Sequence, residues 1–350
     1  MTYRVIQWAT GGVGRAAIEH LVLHPDLTLV GCWVHGPEKA GLDAGEIAGI
    51  GPLGVPATND QDEILRSDAD CVLYAPLVPN PAEVAALLRS GKNVVTPVGW
   101  FWPGPKERAA MEAAAVEGGV SLHGTGIDPG GVTEQHPLFF AGLSSAVTFV
   151  RGEEFSDVRT YGAPDVVRYF MGFGGPPEEA RAGSLLRRLS GGFTQSVQMC
   201  LDALGFADAE IRPSHEIAVA TAPIEGPAGT IRPGEVAAQR FAWEAFVGER
   251  KVVRVAVNWF MGDEHLDPPW TFGPAGERYE VEVQGDPGCT VVINGWTPST
   301  VADAGRNPGV VATAAHCVNS IPAVCAAPPG VVTFVDLSLV TGRAHPDLAR

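Results

Sequence analysis

Apolar and polar positions in the first part of the chain alternate between short continuous apolar runs and longer stretches at helical spacing. Residues 3–9 (YRVIQWA) predict a buried strand, and residues 13–23 a helix. Residues 27–34 (LTLVGCWV) predict a second strand, rich in apolar and β-branched side chains. Further strands are expected at residues 71–75, 93–96 and 120–123. Between them, PAEVAALLRSGKN and GPKERAAMEAAAVEGG read as helices, the first with a glycine stop. Strands that are apolar throughout and separated by helices imply a parallel sheet covered on both faces.

The texture changes near residue 125. GTGIDPGGVTEQHPLFFAGL reads as a loop feeding a helix. Alternating runs follow: AVTFVRGEEFSDV, HEIAVATAPIE, EVAAQRFAWEAFVGERKVVRVAVNWFMG and RYEVEVQGDPGCTVVINGW, with turns such as VGERK and GDPG between them. Helical stretches near residues 164–171 and 184–204 interrupt the series, and a last one covers residues 309–324. The expectation is an α/β protein with a doubly wound parallel sheet, plus an α+β second domain whose sheet is mostly antiparallel. The boundaries read as 1–128 for a dinucleotide-binding domain and 129–304 for a substrate domain, with residues 305–350 packing back on the first.

Composition narrows the partners. A net charge of −16 with no dense basic patch argues against nucleic acid, whose affinity comes from neutralised phosphates. No apolar stretch of about 20 residues is read as a membrane span, and no signal peptide is read at the start; both readings point to the cytoplasm. The six cysteines, at 32, 71, 200, 289, 317 and 325, show no metal-ligand spacing and read as free thiols; no metal is expected.

The candidate chemistry begins at Ala9-Thr10-Gly11-Gly12-Val13-Gly14, which follows the first strand and opens a helix. It matches G-x-G-x-x-G with Ala at the first glycine. Gly11 would let the backbone approach a pyrophosphate, Gly14 would let helix and strand pack closely, and the helix N-terminus would face the anion. After the second strand, where an acid would bind a ribose 2′-hydroxyl, the chain has His35, with Lys39 nearby. That favours NADP over NAD, and Glu38 argues the other way. Ala75 and Pro76, and Pro97, Val98 and Gly99, follow later strands and would line the cofactor site.

Five segments in order carry a resemblance over nearly the whole chain: VIQWATGGVGRAAI, LVGCWVHGPEKAGLDAGEIAG, GKNVVTPVGWFWP, HGTGIDPGGVTE and NSIPAVCAAPPG. They resemble dihydrodipicolinate-reductase-like proteins related to 2,4-diaminopentanoate dehydrogenase and the native amine dehydrogenases. The resemblance implies a Rossmann-type first domain, a second domain for substrate and dimerisation, a homodimer, and NAD(P)H-dependent reduction of an imine formed from a carbonyl compound and ammonia. Two departures are visible. The reductases' His-His-x-x-Lys motif has no counterpart at residues 151–157, so lysine biosynthesis is not expected. The amine dehydrogenases' glutamate after the strand at 93–96 is replaced by PVGWFW, which has no carboxylate.

Hydride transfer then needs one group to supply or remove a proton. The catalytic candidates are Glu154, Tyr169 and His123, the last at a strand end. Trp100 and Trp102 suggest an apolar wall and a small, largely apolar substrate, with Asp128 and Tyr161 as further substrate contacts. Alternatives are an ammonia-independent carbonyl reductase and a cofactor-binding protein without turnover. The outer face of the antiparallel sheet, with its RFAWEAFV pattern, is the expected dimer surface.

Overall fold

The structure is a computed structural model describing residues 2–161, 164–227, 229–273, 278–294 and 307–348. The chain folds as two compact units, Met1–Gly130 with Gly309–Arg350, and Gly131–Pro308.

In chain order, the first unit contains β1 (Tyr3–Trp8), α1 (Gly12–Leu23), β2 (Leu27–Trp33), α2 (Ala44–Ala48), β3 (Ala57–Thr58), α3 (Gln61–Arg66), β4 (Cys71–Tyr74), α4 (Pro81–Arg89), β5 (Asn93–Thr96), α5 (Pro105–Gly118) and β6 (Ser121–Gly124). The second contains α6 (His136–Ala141), β7 (Ser145–Asp157), α7 (Pro177–Arg181), α8 (Ser184–Leu204), β8 (Glu210–Ala220), β9 (Ile224–Gly226), β10 (Gly229–Ile231), β11 (Val236–Val247), β12 (Arg250–Phe260), β13 (Leu266–Asp267), β14 (Arg278–Asp286) and β15 (Cys289–Ile293). The chain then runs through α9 (Pro308–Cys325) and β16 (Gly330–Val331), which complete the first unit.

The first sheet has the order β16-β6-β5-β4-β1-β2-β3, and all of its pairs are parallel. The strand order reverses beside β1, so the loops after β1 and β4 flank the topological switch point. The sheet is apolar on both faces because both are covered. Ile18 and Leu21 of α1 and Val318 and Ile321 of α9 share one core cluster, and Leu87 and Leu88 of α4 with Ala114 of α5 belong to the other. At the carboxyl ends of the strands, Trp8 stacks on Trp33 at 4.2 Å, with Tyr74 at 5.7 Å from Trp8.

Helix α9 is long and apolar enough to cross a membrane by length and composition. The sequence predicts a helix here, at residues 309–324, and His316, Asn319 and Ser320 interrupt its apolar run. In this fold Ala314, Cys317, Val318, Ile321 and Val324 of α9 are buried in the core.

The second sheet has the order β13-β8-β11-β12-β7-β14-β15 and is antiparallel except for the β12–β7 pair. Alternation along β11 decides what each face does. Phe241, Trp243 and Ala245 cluster with Phe193, Val197 and Cys200 of α8, and Phe193 stacks on Trp243 at 4.3 Å. The apolar side of RFAWEAFV is therefore covered within its own unit rather than left for a partner.

The opposite face of this sheet is ionic. Arg151 bonds Glu153 and Glu280 at 2.8 and 2.9 Å and Glu282 at 3.1 Å, while Arg254 bonds Glu244 at 2.6 Å and Glu153 at 3.1 Å. Ala242 and Ala256 lie in register between these side chains and are buried.

Candidate functional site

The glycine loop is the turn between β1 and α1. Ala9 adopts φ 70°, a left-handed conformation at the position where the sequence pattern usually has glycine. Its backbone is fastened from two sides: Ala9 N–H donates to Trp33 O at 2.9 Å, and Gln7 Nε2 donates to Ala9 O at 2.9 Å and Trp8 O at 3.0 Å. Gln7 is a buried amide inside an apolar strand. The sequence reading missed it, although a lone polar residue in such a run was the available signal. At Gly14 an added Cβ would lie 2.1 Å from Ala9 O, so only glycine fits. At Gly11 an added Cβ would meet nothing within 4 Å, and Gly12 is approached only by Val310 Cγ1 of α9, at 3.4 Å.

Gly11 caps α1 without any side-chain hydrogen bond to its first turn, where Gly12 and Val13 are the leading residues. That leaves first-turn amides and the positive end of the helix dipole for an anion. Lys39 reaches the same loop, with Nζ 3.4 Å from the hydroxyl of the buried Thr10. His35 is exposed and holds its ring edge-on to Trp33 at 6.1 Å. The β2–β3 connection is shaped by Asp43, whose carboxylate accepts from the amides of Gly45, Leu53, Gly54 and Val55; these bonds hold its pKa below the ordinary carboxylate value. Pro97, Val98 and Gly99 follow β5 and are half-buried, with Val98 N–H donating to Thr96 Oγ1 at 3.2 Å; Ala75 and Pro76 follow β4 and are likewise half-buried.

Several candidates lie where the sequence alone does not place them. Trp100 is 2% exposed and belongs to the core cluster of Val72, Tyr74 and Val94, so its ring is core rather than a substrate wall; Trp102 is half-buried. His123 is fully buried. Its Nδ1 lies 2.9 Å from Val332 O, so Nδ1 carries the proton, and its ring meets Phe334 edge-on at 5.2 Å. Burial lowers its pKa to about 4 despite the Val332 carbonyl, leaving it neutral at pH 7 and unsuited to donating a proton there. Asp128 is half-buried beyond β6.

In the second unit, Glu153 is committed to structure. Burial alone would raise its carboxyl, but Arg254, Asn258 and Arg151 outweigh it and hold it down to about 2. Glu154 points to the other face of β7 and is half-buried. Its charge reaches Tyr161, whose phenol is raised first by burial and then by Glu154. Tyr169, on the π-helical turn Val166–Phe170, is 78% exposed.

The sequence reading did not single out Glu134. It is fully buried on the π-helical turn Gly131–Gln135, where Thr133 Oγ1 donates to its Oε2 and lies 3.4 Å from Ser196 Oγ. Its neighbours Thr133, Gln135 and His136 are polar, so nothing in the sequence signals its burial. Among the described residues no group of three or more His, Cys, Asp or Glu is placed to hold a metal.

Residues 137–346 match the family model of the 2,4-diaminopentanoate dehydrogenase C-terminal domain. An amine dehydrogenase of Streptomyces virginiae is 32% identical over 354 residues, covering 95% of this chain and 96% of that one. The chain belongs to the 2,4-diaminopentanoate dehydrogenase family. The 2,4-diaminopentanoate dehydrogenase of Acetoanaerobium sticklandii is 30% identical over 237 residues, 67% of this chain and 62% of that protein. The structure of an amine dehydrogenase from Mycobacterium smegmatis superposes with a TM-score of 0.79 over 98% of both chains at 21% identity, which shows the shared fold. The family member described here is an enzyme, an oxidoreductase on an NAD(P)-binding dehydrogenase fold.

Proposed function

We propose that the enzyme uses NADPH to reduce the C=N bond formed from ammonia and a small, largely apolar ketone or aldehyde, in the cytoplasm and as a homodimer. The observation that carries the cofactor reading is the loop after β1. Its cradle excludes a Cβ at Gly14, is open at Gly11, has an uncapped helix start, and has Lys39 beside Thr10. Thr10, Gly11, Gly12, Val13 and Gly14 would hold the pyrophosphate, with Ala75, Pro76, Pro97, Val98 and Gly99 toward the nicotinamide half. Lys39 with His35 would take a 2′-phosphate, because a cation there offsets its charge. The bound nicotinamide supplies the hydride. Residues 1–130 with 309–350 then serve the dinucleotide, and residues 131–308 the substrate.

The protein's own share is the proton. Glu154 and Tyr161 are the proposed pair: the phenol, raised by burial and then by the Glu154 charge, keeps its proton at neutral pH and can donate it. Trp102, Asp128 and Tyr169 are proposed contacts for substrate. Reductive amination is supported by the names of the relatives in Streptomyces virginiae and Acetoanaerobium sticklandii. One observation favours a second reading, ammonia-independent carbonyl reduction: residues 97–102 carry no carboxylate.

The test is NADPH oxidation against a panel of small ketones and aldehydes, with and without concentrated ammonium. Turnover only with ammonium supports reductive amination, and Glu154→Gln should then abolish most of it. Turnover indifferent to ammonium selects the carbonyl reductase. Absence of binding by either nicotinamide dinucleotide overturns both.

A further inference from the structure

The connection between β2 and β3 leaves the sheet after Trp33 and returns at Ala57, and Lys39 lies on its outgoing limb. Lys39 N–H donates to Gly36 O and Leu42 N–H donates to Lys39 O, both at 3.1 Å, so the lysine sits on a closed turn. That turn is tied to the returning limb. Gly41 N–H donates to Ala57 O at 2.7 Å, Ala57 N–H to Leu42 O at 2.8 Å, and Ala44 N–H to Val55 O at 2.8 Å. Asp43 stands between the limbs, in an antiparallel bridge with Pro56. Its Oδ1 accepts from Gly45 and Leu53 at 2.8 Å each, and its Oδ2 accepts from Gly54 at 2.7 Å and Val55 at 3.1 Å. One carboxylate therefore holds the start of α2 on one limb and three successive amides on the other. An added Cβ at the buried Gly45 would run into Gly51 O, so the limbs have no room to slide.

We propose that Asp43 is a positioning residue for cofactor choice. By clamping both limbs it fixes the turn that sets Lys39 Nζ 3.4 Å from Thr10 Oγ1, and so favours the dinucleotide that carries a 2′-phosphate. This role rests on Lys39 as the contact for that phosphate. All four Asp43 bonds go to backbone amides, so its effect passes to Lys39 through residues 40–42 and not through a contact of its own with the cofactor.

Only an ionised carboxylate suits four converging donors, because both oxygens accept and the charge strengthens every bond. The excursion itself gives the sheet only the two residues of β3. A lysine side chain is long and flexible, and fixing it on a phosphate costs ordering entropy. A turn that is already held lowers that cost. A loosened turn raises it, and the increase falls on NADPH alone, because a 2′-hydroxyl makes no use of the lysine charge.

The experiment measures Kd for NADPH and for NADH by fluorescence titration of the full chain, with urea unfolding of each variant to establish its fold. Asp43→Asn keeps one acceptor oxygen and turns an NH2 group toward amides that themselves donate. Asp43→Ser, the milder change, keeps a cap for Gly45 and releases residues 53–55. Both should lose roughly fivefold in NADPH affinity and less than about twofold in NADH affinity. In a Lys39→Ala background, Asp43→Asn should change the preference by less than about twofold, because no lysine is left to position. Equal losses for both dinucleotides, or a loss of stability with the preference intact, would mean a merely structural role and overturn the proposal. So would a selective loss that persists in full without Lys39. If Lys39→Ala itself leaves the preference unchanged, the 2′-phosphate reading is overturned and the role of Asp43 with it. If Lys39→Ala shifts the preference and neither Asp43 variant does, only the role of Asp43 is overturned.

Discussion

At the residue scale the glycine loop makes two sharp expectations. Replacing Gly14 by Ala puts a methyl 2.1 Å from the Ala9 carbonyl oxygen, a backbone atom that Gln7 already holds. The loop must shift, so G14A should lose at least tenfold in NADPH affinity and about 2–4 kcal/mol of stability; dinucleotide fluorescence titration and urea unfolding check each. Lys39→Ala should weaken NADPH roughly tenfold and leave NADH within about twofold, because the lost charge faces only a 2′-phosphate. Equal losses for both dinucleotides would remove Lys39 from that role. The glycines, and Lys39 as a candidate, were legible in the sequence because the pattern and its place after a strand carry chemistry. Ala9 in a left-handed conformation and the Gln7 amide beneath it were not, since each depends on hydrogen bonds across strands. Trp100 shows the reverse: an aromatic after a strand reads equally well as wall or core, and only packing decides.

At the element scale, periodicity placed the long elements closely. Helix α8 and strand β5 have the bounds read from the sequence, and β7 and β12 differ little because alternation and VGERK-type turns fix them. The short elements α2, α3 and β3 escaped, being too brief for a period to show. RFAWEAFV signalled correctly that an apolar face needed cover, but not that α8 supplies it. The ionic face of the same sheet gives the test at this scale. Glu153 is the carboxylate shared by Arg151 and Arg254, and Asn258 Nδ2 donates to it at 3.0 Å. Glu153→Ala would leave the half-buried guanidinium charges of Arg151 and Arg254 partly uncompensated and should cost about 2–4 kcal/mol. Glu153→Gln, which keeps shape and some hydrogen bonds, should cost less. Urea unfolding of both variants decides this, and equal stability of Glu153→Ala and the parent would mean that the remaining acids, Glu244, Glu280 and Glu282, suffice.

At the scale of the whole molecule, these buried groups set how stability responds to pH. His123 is held neutral, its pKa lowered from the ordinary histidine value to about 4, chiefly by burial; His24, His215 and His316 are lowered for the same first reason. Between the unfolded value near 6.5 and the folded value, the unfolded chain binds more protons. Their contribution is therefore complete above the unfolded value and is lost as pH falls through that window. A second window lies lower: Glu153 is held down to about 2 by its arginines, so its contribution is lost as pH falls from the ordinary glutamate value toward 2. Unfolding free energy should thus fall in two stages on acidification, the first before the carboxylates titrate. His123 alone can supply up to about 3 kcal/mol of the first stage, because its pKa falls by roughly two and a half, at about 1.4 kcal/mol for each whole step. His123→Gln removes the titration, and its unfolding free energy should run flatter than the parent's between about pH 6.5 and 4 while keeping the second stage. Parallel curves for parent and variant across that range would show that His123 takes up its proton without cost. In that case burial would not be what keeps it neutral.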